Sequence, residues 1–181
     1  MITHQDMTEL HGDGNIITVP PSDVELLRLR AEDAEVLGTV GLPRFSPPFF
    51  TTQVEGHPKF LKVFDIVTRE GKEHREVIIG GPPGDPGMRF SVSAYEGFVM
   101  LLQMGGTRPQ GEIVNNNLSE FVEFLHEIGR HQALAADDPF AARESLHDLS
   151  NRLKSIDPFS FEQPDNWWSL ALDHLASTGE S

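Results

Sequence analysis

The clearest periodicity lies in the last third of the chain. Leu118, Phe121, Val122, Leu125 and Ile128 recur at spacings of three and four, which predicts the apolar stripe of an α-helix. Asn117 at its head, with Glu120 three residues on, is a helix-capping signal. Asp138-Pro139 opens a second helix, with proline at its favoured first position and Leu146, Leu149, Leu153 and Ile156 as its stripe. A third begins near Pro164-Asp165 and turns Trp168, Ala171, Leu172 and Leu175 inward. The middle third has a different period. Residues 60–67, 76–79, 88–94 and 97–103 are β-branched or aromatic runs of strand length, parted by turn residues such as GGPPGDPG at 80–87. Arg89-Phe90-Ser91-Val92-Ser93 alternates polar with apolar, the pattern of a strand with one wet face.

Upstream of the sheet, Ser22 followed by Glu25 reads as a capping box ahead of Leu26, Leu27 and Leu29. A second helical stretch at 33–37 stops at Gly38 or Gly41, and GLPRFSPPFF is a rigid connector. Residues 1–21 lack apolar periodicity and end in Pro20-Pro21, so a flexible arm dispensable for folding is expected there. The order of elements predicts the α+β class: N-terminal helices, a central antiparallel sheet, and C-terminal helices packed on the sheet. The expected layout is one domain over 22–177 and a disordered tail at 178–181.

Composition narrows the function. The 181 residues contain 14 basic and 28 acidic side chains, a formal net charge of -14, which repels nucleic-acid backbones and anionic lipid alike. Residues 1–58 hold nine acids and three bases, 59–110 six and seven, and 111–181 thirteen and four, so the acidity sits at the two ends. Cysteine is absent, which excludes thiol nucleophiles, disulfides, thiolate zinc sites and iron–sulfur clusters. The N-terminal residues do not resemble a secretion signal, and the longest apolar run, 98–102, is far short of the roughly 20 residues of a spanning helix. A cytoplasmic location is expected.

No catalytic constellation emerges from the residue types. His126 and His131 lie five apart, which points their rings roughly 140° apart on a helix, so the two-histidine metal pattern at i and i+4 fails by one residue. A cluster of His131, His147 and Glu144 would need two helices to converge. GGPPGDPG has too few backbone N–H groups to cradle phosphate and reads as a strand-joining turn. No serine sits in a nucleophile elbow. The expectation is no enzyme, no cofactor and no metal. Partner-binding candidates are the row Glu120, Glu123 and Glu127, expected on the outward face of the first C-terminal helix, and Trp167, the expected outward ring of the Trp167-Trp168 pair.

Four stretches also carry a family resemblance, in order along residues 22–177: Leu37-Gly38-Thr39-Val40-Gly41-Leu42-Pro43; Val77-Ile78-Ile79-Gly80; Val114-Asn115-Asn116-Asn117-Leu118 followed by Phe121; and Phe161-Glu162 through Trp167-Trp168. In this order they resemble the SUKH superfamily, specifically its fourth subgroup of bacterial immunity proteins. Asn116 and Asn117 depart from the small hydroxyl residues usual there, but both types cap helices. The resemblance implies an α+β fold and a non-enzymatic protein that neutralises a cognate toxin of a polymorphic toxin system by binding it. Such toxins include nucleases, whose clefts are basic, and an acidic binder suits them. An intracellular adaptor of the same fold with another protein partner is the alternative.

Overall fold

The structure, a computed structural model, describes residues 1–68, 70–107 and 110–178. Helices α1 (His4–His11), α2 (Pro21–Leu27) and α3 (Ala31–Glu35) precede the sheet, and α3 runs on into a wide π-turn at Val36–Val40. Short strands β1 (Ile16–Ile17) and β2 (Leu42–Pro43) pair with each other, as do β3 (Phe45–Ser46) and β4 (Phe50–Thr51). The main sheet is an antiparallel meander in sequence order: β5 (Val63–Val67), β6 (Glu73–Gly80), β7 (Met88–Ser93), β8 (Val99–Gln103) and β9 (Gln110–Asn115). Three helices follow: α4 (Leu118–Asp137), α5 (Pro139–Ile156) and α6 (Trp167–Thr178), with a 3₁₀ turn at Pro158–Phe161 before α6. This is the expected α+β order, but the meander has five strands rather than the four predicted, and α1 and the two short strand pairs are additions to the predicted elements.

The C-terminal caps form as their residue types dictate. Asn117 accepts the backbone N–H of Glu120 at 2.9 Å, and Asp138 accepts those of Phe140 and Ala141 at 3.1 and 3.0 Å. The expected Ser22 box does not form. Helix α2 starts two residues earlier than that box predicts, at Pro21, whose fixed φ presets the first turn without a side-chain cap. Gly41 ends the π-turn at φ +86°, and a Cβ there would lie 2.7 Å from the Ile17 carbonyl oxygen, so glycine lets β2 close against β1.

The loose arm expected over residues 1–21 is instead built into the fold. Thr3 and Asp6 cap α1 reciprocally, Met7 and Val19 are buried in the core, and Leu10 lies over Gly129 of α4. Thr178 closes α6, and residues 179–181 lie outside the described ones.

One face of the sheet carries Val77, Ile79, Phe90, Val92, Val99, Leu101 and Val114 into a core shared with α4, α5 and α6. Aromatic rings fill its centre: Phe90 sits 5.2 Å from Phe121 and Phe124 5.3 Å from Trp168, centroid to centroid, at the tilted angles that ring quadrupoles favour.

Candidate functional site

Residues paired across an antiparallel ladder share a face. Ile66 pairs with His74, Glu76 with Ser93, Ser91 with Met100, and Met100 with Ile113, and these alternate with the core-facing residues. They form the sheet's second face, where a groove of about 300 Å³ is lined by Ile66, Lys72, His74, Glu76, Ser93, Glu96, Phe98, Met100, Leu102, Gly111 and Ile113. Gly111 brings the strands close, since a Cβ there would lie 2.8 Å from the Leu102 side chain and 3.2 Å from that of Met100.

The groove mixes apolar and polar groups, and its most buried lining residues are Glu76, Ser93 and Leu102. Glu76 is only 4% exposed, and its Oε2 accepts a hydrogen bond from Ser91 Oγ at 2.6 Å. Among the described residues no cationic nitrogen lies within 4 Å of this carboxylate. Burial pushes its carboxyl above the ordinary range, against the pull of the Ser91 and Ser93 hydroxyls and His74. Glu96 on the rim moves the other way. Partial burial would raise it, but hydrogen bonds from Ser93 Oγ (2.7 Å) and Lys72 Nζ (3.1 Å) hold it below the ordinary range. Two carboxylates at one site thus differ in how well each is satisfied. A wider hollow of about 710 Å³ beside His57, Lys59, Phe60 and Lys62 has no buried residue in its lining.

The wet face expected for Arg89, Ser91 and Ser93 has the right sidedness, but all three are buried. Arg89 is fully enclosed, and its guanidinium donates to five backbone carbonyls: those of Glu55, Pro58 (2.8 Å), Asp85 (3.4 Å), Pro86 (3.2 Å) and Met88 (2.7 Å). The segment around 55–58 and the GGPPGDPG turn are therefore both fastened to the sheet beside the groove. Burial lowers the guanidinium's pKa from its ordinary value.

A second buried polar cluster lies where β9 meets the C-terminal helices. Asp157 is fully buried and accepts from Asn115 Nδ2 (3.1 Å), Asn116 backbone N (3.2 Å), Asn116 Nδ2 (2.8 Å) and Ser160 Oγ (2.8 Å). Asn115 Oδ1 in turn accepts Trp168 Nε1–H at 2.9 Å. The asparagine run thus ties β9, the 3₁₀ turn and α6 together, a structural task.

The row Glu120, Glu123 and Glu127 is not an open acidic face. Glu127 is only 9% exposed and is held by Arg152 Nε at 2.9 Å and Arg130 Nη1 at 3.5 Å, because α5 packs along that side of α4. Glu120 is half-buried, and burial followed by the charge of Asp157 raises its carboxyl above the ordinary range. Glu123 is also half-buried. Trp168 is the buried ring of the tryptophan pair, as expected, but Trp167 is not an outward platform: its ring meets Phe90 edge-on at 5.7 Å, its Nε1 is buried, and its backbone N–H donates to Glu112 at 2.7 Å. His131 reaches Ser145 at 3.4 Å, while His147 and Glu144 are exposed. Among the described residues no group of three or more His, Asp or Glu is placed to hold a metal ion, and no helix is long and apolar enough to cross a membrane.

Spacing alone does not single out Glu76 and Glu96. The available signal was period two: His74 and Glu76, then Ser91 and Ser93, put polar groups at alternate positions of adjacent strands. A family model described as SUKH-4 immunity protein matches residues 2–174. No curated protein and no solved structure matches the chain significantly. The family match runs from the residue before the α1 cap through the meander and well into α6, so the chain belongs to the SUKH-4 immunity protein family.

Proposed function

We propose that this protein neutralises a cognate toxin by binding it directly in the cytoplasm of the producing cell, without chemistry of its own. The observation that carries this reading is the family match over residues 2–174. The net charge of -14 favours a toxin with a basic surface, such as a nuclease, through faster encounter with a cationic cleft. The groove on the second face of the sheet is the favoured contact in this reading, since Glu127 is engaged by two arginines and Trp167 lies in the aromatic cluster.

Co-expression with candidate toxins drawn from the open reading frames adjacent to its gene tests the proposal. Growth should be restored, and the two chains should co-elute as a stoichiometric complex with the toxin's intact mass unchanged. Protection at a small fraction of the toxin's concentration, or a covalently altered toxin, would show catalysis and overturn it.

A further inference from the structure

We infer that the groove seats one lysine or arginine side chain of the partner protein, its aliphatic stem along Ile66, Met100 and Ile113 and its charged end on Glu76. This deepens the toxin-binding reading and rests on it for the partner, but its test needs no toxin. Three observations support it. The groove is the size of a long side chain rather than of a folded element, at about 300 Å³. Its lining sets the apolar side chains of Ile66, Met100, Leu102 and Ile113 beside a buried carboxylate, which matches the stem and head of a long cationic residue. Finally, Glu76 is more than nine-tenths buried and, among the described residues, accepts one hydrogen bond from Ser91 and has no cation within ion-pair distance, although a buried carboxylate ordinarily comes with a partner.

The rim already shows the mode of binding. Lys72 places its ammonium 3.1 Å from Glu96 Oε1, and His74 Nδ1 lies 3.5 Å from the same oxygen. An incoming cation therefore meets the buried Glu76 and Ser93, with the more exposed Glu96, Lys72 and His74 beside them. Because burial raises the Glu76 carboxyl, the seat is strongest once the pH is high enough to ionise it.

Methyl-detected NMR titration of the full chain with Nα-acetyl-arginine N-methylamide, and with its neutral citrulline counterpart, tests this. The arginine probe should shift the Ile66, Met100 and Ile113 methyl signals saturably, with a Kd on the order of 1 mM for a ligand of this size. Citrulline should bind at least about tenfold more weakly, the worth of a charge-assisted hydrogen bond. Glu76→Gln should abolish the preference. Lys72→Ala, at an exposed position where folding is not at stake, should strengthen arginine binding by clearing the rim. Equal affinity for the two probes, or no shift up to about ten times the expected Kd, would overturn the inference while leaving neutralisation to be judged by co-expression. Arginine preference without toxin rescue would instead uphold the groove's cation seat and reject the toxin as its user.

Discussion

Asp157 and Glu76 are both carboxylates taken out of water, and they are treated in opposite ways. Asp157 receives four hydrogen bonds from three neighbouring residues. Glu76, nearly as buried, receives one from Ser91. A saturated buried network fixes the geometry of whatever it joins, here β9, the 3₁₀ turn and α6. An unsaturated one gives up stability and leaves an acceptor for something else to fill. The first cluster holds the fold, and the second leaves Glu76 with a single hydrogen bond.

The largest effect is expected at the saturated site. Asp157→Ala strands the amides of Asn115 and Asn116 in the interior and should cost about 3 kcal/mol, or roughly 6–12 °C in Tm for a chain of this length, in a thermal melt. A loss below about 1 kcal/mol would mean that the four bonds do not act as a unit. Glu127→Lys comes next. It sets a cation among Arg130, Arg152 and His126 in place of their carboxylate, and roughly 1–3 kcal/mol should be lost in urea unfolding, discounted for the exposure of both arginines. An unchanged midpoint would return this row to the status of a solvated face.

The smallest effect has the opposite sign. Glu76→Gln keeps an acceptor for Ser91 and removes an unpaired buried charge, so it should raise stability at neutral pH by up to about 1 kcal/mol. The wild-type carboxyl is pushed above its ordinary 4.5. The stability that its proton confers is therefore complete below about pH 4.5 and is lost as pH rises through the folded-state value. The gap between variant and wild type should accordingly widen as pH rises from 4.5, measured by denaturant unfolding at a series of pH values. Glu120, raised in the same direction, is present in both chains, so the difference isolates Glu76. A variant less stable than wild type at pH 7 would place Glu76 among the structural carboxylates with Asp157.

Long, strongly periodic segments were legible from sequence. The stripes of α4 and α5, their caps at Asn117 and Asp138, and four of the five meander strands follow from apolar spacing and turn chemistry. Strand β9 was not, because only Ile113 and Val114 carry its pattern and the Gly111-Glu112 pair before them reads as loop. Helix α1 was hidden for a related reason. Its buried residue, Met7, is a single point with no period, although Thr3 and Asp6 held a local capping signal. The candidate site was legible only in its sidedness. Alternation put His74, Glu76, Ser91 and Ser93 on one face, but their burial depends on neighbouring strands and on the loops beside them, which no local pattern encodes. For the same reason Glu127 read as surface: the arginine that meets it, Arg152, lies 25 residues away on another helix.

Arg89 fastens two loops beside the groove by gripping backbone oxygens rather than side chains. Every residue type supplies a carbonyl, so substitutions at Glu55 and Asp85 that preserve the path of the chain leave the grip intact. The anchoring is thereby separated from the identity of what it anchors, and these two loops are free to change in sequence while the frame beneath them stays fixed.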